Sequence, residues 1–168
     1  MAKTPVISLA SDHAGFALKQ RLIQHLQERG VLVEDLGAHD DQSVDYPDFG
    51  YRLADHVAGE TDRLGVAICG SGIGISIAAN RHPQVRAALV TSPEAARLAR
   101  EHNDANVIAL GARLIDETGA IACLEAFLDT EFAGGRHARR VAKLSDPAQR
   151  LESAGQAAMV ARDPEQKE

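Results

Sequence analysis

Apolar and polar positions along the chain follow two alternating periods. Short apolar runs at 5–10, 31–36, 64–68, 85–90 and 106–110 read as strands covered on both faces. Between them the period lengthens to that of a helix. Leu18, Leu22, Ile23 and Leu26 mark one over 16–29, stopped by Gly30. Pro47 opens a second, with Phe49, Leu53, Ala54 and Val57 on its inner face. A third follows the glycines after residue 69 and runs towards Asn80. Thr91-Ser92-Pro93-Glu94 combines a cap, a first-turn proline and an acid, starting a fourth that reaches about Asn103. Ile121, Leu124 and Leu128 pattern a fifth over 115–127. A polar loop spans 37–46, and Ser145-Asp146-Pro147 reads as one more helix start.

Strand and helix in strict alternation predict an α/β protein, a five-stranded parallel sheet between two helical layers. Ligands of such sheets bind outside the carboxyl ends of the strands. Asp12-His13, the stretch 69–74 and Thr91-Ser92 all fall at such ends. With 168 residues and no internal linker, one domain over 1–150 is expected. Residues 151–168 form a C-terminal extension, partly helical or loose.

Charge and composition narrow the partners. A net charge of −6 argues against nucleic acid and anionic membranes as general partners. Aromatics make up only 4%, with no tryptophan, so stacking platforms for bases are lacking. No apolar run is long enough to span a membrane and no signal segment is visible, which points to the cytoplasm. Cys69 and Cys123 lie on different predicted elements, so no disulfide is expected. His25, His39, His56 and His82 lack ligand spacing and read as solvated, and no metal site is expected.

The chemistry concentrates at Cys69-Gly70-Ser71-Gly72-Ile73-Gly74. A buried strand ends in a thiol, a tight turn follows, and a helix begins. Alternating glycines let the backbone come close to a ligand and leave N–H groups for an anion. A thiolate is favoured beside a helix N-terminus. The spacing fails the dinucleotide fingerprint, because Ile75 and Ile77 stand where the third glycine is needed. A P-loop lacks its Lys-Ser or Lys-Thr pair, and a phosphatase loop lacks its arginine at position 75. Cys69 therefore reads either as a reactive thiol without a cofactor or as a small buried hydrophobe.

Other candidates sort by chemistry. Asp12 and His13 suit hydroxyl binding and acid–base work, or a simple Asx turn. His102-Asn103 closes a helix, either as a capped C-terminus or as a proton donor reaching a neighbouring strand end. Arg136 and Arg140, four residues apart around His137, share one face if helical and fit a phosphate. Together these parts describe a phosphorylated polyol held by arginines, with hydroxyls on Asp12 and Asn103 and a thiolate base at the reacting carbon. Proton transfer between adjacent sugar carbons passes through an enediolate, whose oxygen needs N–H donors. A histidine acid would open the sugar ring. The residues suit a cofactor-free aldose–ketose isomerase.

The motifs Ser11-Asp12-His13-Ala14-Gly15-Phe16, Asp45-Tyr46-Pro47, the run from Cys69 to Asn80, His102-Asn103-Asp104-Ala105-Asn106-Val107 and Gly134-Gly135-Arg136-His137 resemble ribose-5-phosphate isomerase type B. That family also includes the galactose-6-phosphate isomerase subunits, and the resemblance runs from residue 5 to about 150. It implies a Rossmann-like domain and interconversion of D-ribose 5-phosphate and D-ribulose 5-phosphate. It also implies a homodimer, with a dimer of dimers as the larger option, in which each site is completed by the other subunit. By resemblance, Cys69 is the base, Ser71 and the amides of Gly70, Gly72, Ile73 and Gly74 hold the enediolate, and His102 opens the ring with His13 as helper or rival. Asp12, Tyr46 and Asn103 then contact hydroxyls, and Arg136 and Arg140 hold the phosphate, with Arg113 and His137 as further contacts. Some members replace the cysteine by a glutamate beyond the glycine loop; Ile75, Ser76 and Ile77 exclude that version here. Ser71 stands where many relatives carry threonine, keeping the hydroxyl. A hexose-6-phosphate isomerase for allose or galactose phosphate, and a sugar-phosphate-binding module without catalysis, are the alternatives.

Overall fold

The computed structural model describes residues 5–146. In chain order these form β1 (Val6–Ser11), α1 (Phe16–Glu28), β2 (Val33–Asp35), α2 (Tyr46–Val57), β3 (Arg63–Cys69), α3 (Ile73–Ala79), β4 (Ala87–Leu89), α4 (Pro93–Asn103), β5 (Val107–Gly111), α5 (Glu117–Leu128), a 3₁₀ turn at Gly135–His137, and α6 (Ala138–Ser145). The expected extension over 151–168 lies outside the described residues. Ser145 closes α6 rather than opening a new helix, and the rest of that expected start, from Pro147 on, also lies outside them.

All five strands are parallel, in the order β2-β1-β3-β5-β4. The central strands are buried on both sides, and their alternate residues feed two cores. Ile7, Leu9, Val66, Ile68, Ile108 and Leu110 meet α1, α4 and α5 on one face. Ala10, Ala67, Cys69, Val107 and Ala109 meet α2 and α3 on the other. The second face is the one with small side chains, so α2 and α3 lie close to the sheet and to each other. Gly50 of α2 packs against Ala78, where an added Cβ would come within 2.7 Å of the Ala78 Cβ. This close seating brings the start of α2 to the glycine turn.

The edge strands are shorter than the sequence predicts, three residues each against six. With one neighbour apiece, their apolar runs extend beyond the ladder, and Leu32 is left exposed. On β4, Ala87 turns its N–H and C=O away from β5. The Asn80 side chain takes both, its Oδ1 accepting from the Ala87 N–H and its Nδ2 donating to the Ala87 carbonyl, each at 2.8 Å.

Lys19 departs from the expected pattern on α1. The buried stripe is Lys19, Leu22, Ile23 and Leu26, with Leu18 only partly buried beside it. Lys19 is fully buried and forms an ion pair with Asp35 at the end of β2. The surface histidines also differ from expectation, because His25 pairs with Glu125 and His56 with Glu34. Hydrogen bonds from His56 and Arg63 outweigh burial and hold the Glu34 carboxyl below the usual range. Both cysteines are free and buried, and burial pushes the Cys123 thiol up.

Candidate active site

β1 pairs with β2 on one side and β3 on the other, so the strand order reverses between β1 and β3. Brändén's switch point lies at the carboxyl ends of these two strands. There the structure opens a pocket of about 540 Å³. It brings together Asp12, Tyr46, Cys69, Gly70, Ser71, Ile73, Gly74 and Arg113. Ile77 and Leu114 complete the wall; neither was anticipated, since both look like ordinary apolar surface positions in the chain.

Local geometry explains the convergence. Gly72 is left-handed at φ +75°, and an added Cβ would lie 2.8 Å from the Leu110 carbonyl carbon. Only glycine satisfies both conditions. The Gly72 N–H donates to Cys69 Sγ at 3.1 Å, and the Ile73 N–H donates to Ser71 Oγ at 3.3 Å. Two amides of the turn are thereby engaged within the turn itself. Those of Gly70 and Ser71 meet no acceptor among the described residues, and that of Gly74 lies in the first turn of α3, where helices leave N–H groups open. The following segment locks the turn from behind: Ala112 N–H donates to the Cys69 carbonyl at 2.9 Å and Arg113 N–H to the Gly70 carbonyl at 3.0 Å.

The side chains around the thiol are equally placed. The Tyr46 ring lies so close over Gly74 that a Cβ there would sit 2.5 Å from it. The Arg113 guanidinium packs against Gly70 and makes no ion pair among the described residues. Asp12 is buried; its Oδ1 accepts from the Gly15 N–H at 2.9 Å while the residue still lines the pocket. The Asx-type turn and the functional reading of Asp12 are thus compatible. His13 follows on the same loop, its Nδ1 accepting from the Val44 N–H at 3.2 Å. Thr91-Ser92 is a helix start: Ser92 Oγ accepts from the Ala95 N–H at 3.2 Å.

The remaining candidates are elsewhere. α4 leaves the carboxyl end of β4 and returns to the amino end of β5, carrying His102 and Asn103 with it. α5 makes the same return, and Ala133 N–H then bonds the Glu101 carbonyl at 3.0 Å. This seats His137 on His102, with ring centroids 4.4 Å apart and planes 6° from parallel. Arg136 Nε donates to His137 Nε2 at 3.3 Å. Burial, then His102 and the two arginines at 136 and 140, hold the His137 imidazole below its ordinary pKa. Arg136 and Arg140 are exposed and form no ion pair among the described residues. The helix cap is Asp104, left-handed at φ 46°, rather than Asn103; Arg86 and Arg100 hold its carboxylate.

Within the chain, His102, Asn103, Arg136, His137 and Arg140 therefore sit at the opposite end of the sheet from Cys69. The seven residues of β3 alone separate the two ends by roughly 20 Å at about 3.3 Å per residue, farther than an extended pentose phosphate reaches. A further cleft of about 450 Å³ also opens at the amino end, lined in part by Arg63, Arg86 and Arg100. Its three arginines are already paired, with Glu34 or Asp104.

A family model described as ribose/galactose isomerase matches residues 7–144. The chain belongs to that family. It is similar to the ribose-5-phosphate isomerase B of Escherichia coli, 42% identical over 86% of this chain and 97% of the relative. The structure of Clostridium thermocellum ribose-5-phosphate isomerase B superposes with a TM-score of 0.83 at 47% identity, covering 87% of this chain and 99% of that one. The crystal structure of the Mycoplasma genitalium ribose-5-phosphate isomerase B with bound ribulose-5-phosphate matches with a TM-score of 0.81 at 41% identity, over 88% and 96% of the two chains. Family membership agrees with the α/β fold and with the isomerase chemistry expected of the glycine turn.

Proposed function

We propose that this protein is an aldose–ketose isomerase that interconverts D-ribose 5-phosphate and D-ribulose 5-phosphate. One observation carries the reading: a thiol at the end of β3, in a glycine turn whose Gly70 and Ser71 amides meet no acceptor among the described residues. Cys69, as thiolate, takes the proton from C2 of the open-chain aldose. The resulting enediolate oxygen is held by the open amides of Gly70, Ser71 and Gly74 and by the Ser71 hydroxyl. Return of the proton to C1, with the O2 hydroxyl proton passing to O1, gives the ketose. The reaction is redox-neutral within the substrate, so the proton path needs no cofactor.

Ring opening and phosphate binding are assigned to a second copy of the chain. Its His102 acts as the ring-opening acid, with His13 of the first copy as helper. Its Asn103 contacts a hydroxyl. Its Arg136 and Arg140, with His137 alongside, hold the phosphate together with Arg113 of the first copy. Two features support a homodimer. The site is split between opposite ends of one protomer, and exposed apolar side chains, Tyr46, Ile73, Ile77, Leu89 and Leu114, cluster at the carboxyl end of the sheet. The cytoplasm, where sugar phosphates are made and held, is the compartment this substrate implies.

The test is isomerisation of ribose 5-phosphate together with exchange of its C2 hydrogen with solvent deuterium. Turnover with exchange is expected. Ligand-induced thermal stabilisation without exchange would leave a binding module instead. The family description also names galactose, so turnover on hexose 6-phosphates belongs beside it; faster reaction of allose or galactose 6-phosphate would reassign the substrate.

A further inference from the structure

Lys19 and Asp35 take no part in the chemistry above, yet Lys19 is a charged side chain with no exposure at all. Burying an ammonium is costly unless a counter-charge and hydrogen bonds meet it. Asp35 supplies both, and its Oδ1 also accepts the Gly37 N–H at 3.0 Å. The next links are all backbone. The Gly37 carbonyl accepts the Ser11 N–H at 2.6 Å, and the Ala38 N–H returns to the Ser11 carbonyl at 2.7 Å. Both peptide groups of Ser11, the residue before Asp12, are thereby set by the turn that Asp35 holds.

The same turn begins the loop that leads to Val44, whose N–H bonds His13 Nδ1, and to Tyr46 at the start of α2. Arg52 of α2 closes the arrangement, donating to the Leu36 carbonyl at 2.8 Å. Asp35 also faces Gln20 from α1 and, at 3.9 Å, His39. One charge pair, buried at Lys19, thus underlies two side chains of the pocket, Asp12 and Tyr46, and the neighbouring His13.

We propose that Asp35 is a positioning residue for the isomerase reaction, with the buried Lys19 as its counter-charge: the Asp35 side chain fixes the 35–38 turn, and through Ser11 and Val44 it sets the places of Asp12, His13 and Tyr46. The proposal rests on the isomerase reading. The two nevertheless fail separately, because wild-type turnover tests the reading and the variants are measured against wild type.

Two double variants separate positioning from plain stability. Lys19→Met with Asp35→Leu removes both charges and the acceptor for the Gly37 N–H. Lys19→Met with Asp35→Asn removes the charges but keeps that acceptor. Neither variant leaves an unpaired ammonium in the interior, the costly outcome of breaking such a pair from one side, so both variants are expected to fold with comparable melting temperatures. The Leu variant is expected to lose about 100-fold in kcat, the scale of a small misplacement of reacting groups, while the Asn variant recovers most of it. Amide NMR shifts of Asp12, His13 and Val44 in the ligand-free protein should move in the Leu variant and return towards wild type in the Asn variant. Equal kcat in the two variants, or a kcat that follows melting temperature alone, would overturn the proposal. So would unmoved amide shifts in the Leu variant.

Discussion

The two ends of the sheet are built differently. At the carboxyl end the candidate groups are held by backbone: the Cys69 sulfur by the Gly72 amide, the turn by Ala112 and Arg113, and Asp12 by its own loop. At the amino end they are side chains on helix termini, exposed or stacked on one another, with two arginines that make no ion pair among the described residues. Rigid, partly buried placement suits bond-making, since the groups need no reorganisation during reaction. Exposed cations suit a phosphate, whose charge reaches further and tolerates looser geometry. The homodimer proposed above would join the two tasks, a second copy bringing its amino end to the first copy's pocket.

The largest effect that could break this contrast is at Cys69. Cys69→Ala is expected to lower kcat by about 10³-fold, within the usual range for loss of a general base, with circular dichroism and melting temperature close to wild type. An active Cys69→Ala protein would remove the thiol from the chemistry.

The next test addresses the division itself. Cys69→Ala and His102→Asn proteins, each nearly inactive, are mixed after partial unfolding and allowed to reassociate. In the dimer proposed above, each mixed pair contains one intact site, so random pairing should restore roughly a quarter of wild-type activity. No recovery, despite mixed dimers seen by native mass spectrometry, would mean that each site is built from one chain.

Arg136→Ala should sharpen the contrast more gently. A phosphate far from the reacting carbons is held alike in the ground and transition states, so KM should rise about 10-fold or more with kcat little changed. A selective fall in kcat would place Arg136 nearer the reaction than the amino-end assignment allows.

The smallest effect is on stability. His137 titrates below its ordinary value of 6.5 in the folded protein, because of burial first and its cationic neighbours second. As pH falls below about 6.5 the unfolded chain takes up this proton before the folded one does, so stability declines through that window down to the folded pKa. Melting temperature should drop as pH falls below about 6.5, and His137→Asn should flatten part of that drop. A slope unchanged by the substitution would show that other groups set it.

The central strands were legible because burial on both faces produces unbroken apolar runs, and the glycine turn because its spacing excluded the better-known phosphate loops. Chain order also places His102: a helix that follows one parallel strand and precedes the next ends at the amino edge of the sheet, far from Cys69. Lys19 escaped because apolar periodicity passes over charged residues, although 19, 22, 23 and 26 share one helix face. What makes it tolerable there is Asp35, sixteen residues away, and no local pattern announces such a partner. The edges of the sheet were overestimated because an apolar run continues where its hydrogen-bonding neighbour has stopped.

The Asn80 amide on β4 has a consequence for how copies of this chain meet. Its carboxamide occupies the place that a neighbouring strand's peptide group would take, satisfying the outward N–H and carbonyl of Ala87. On a strand of three residues this leaves an incoming chain little to pair with. Association by extending the sheet is blocked at that margin, a route that in other proteins leads to filaments and aggregates. The homodimer proposed above would then meet through side chains at this margin rather than through a shared sheet.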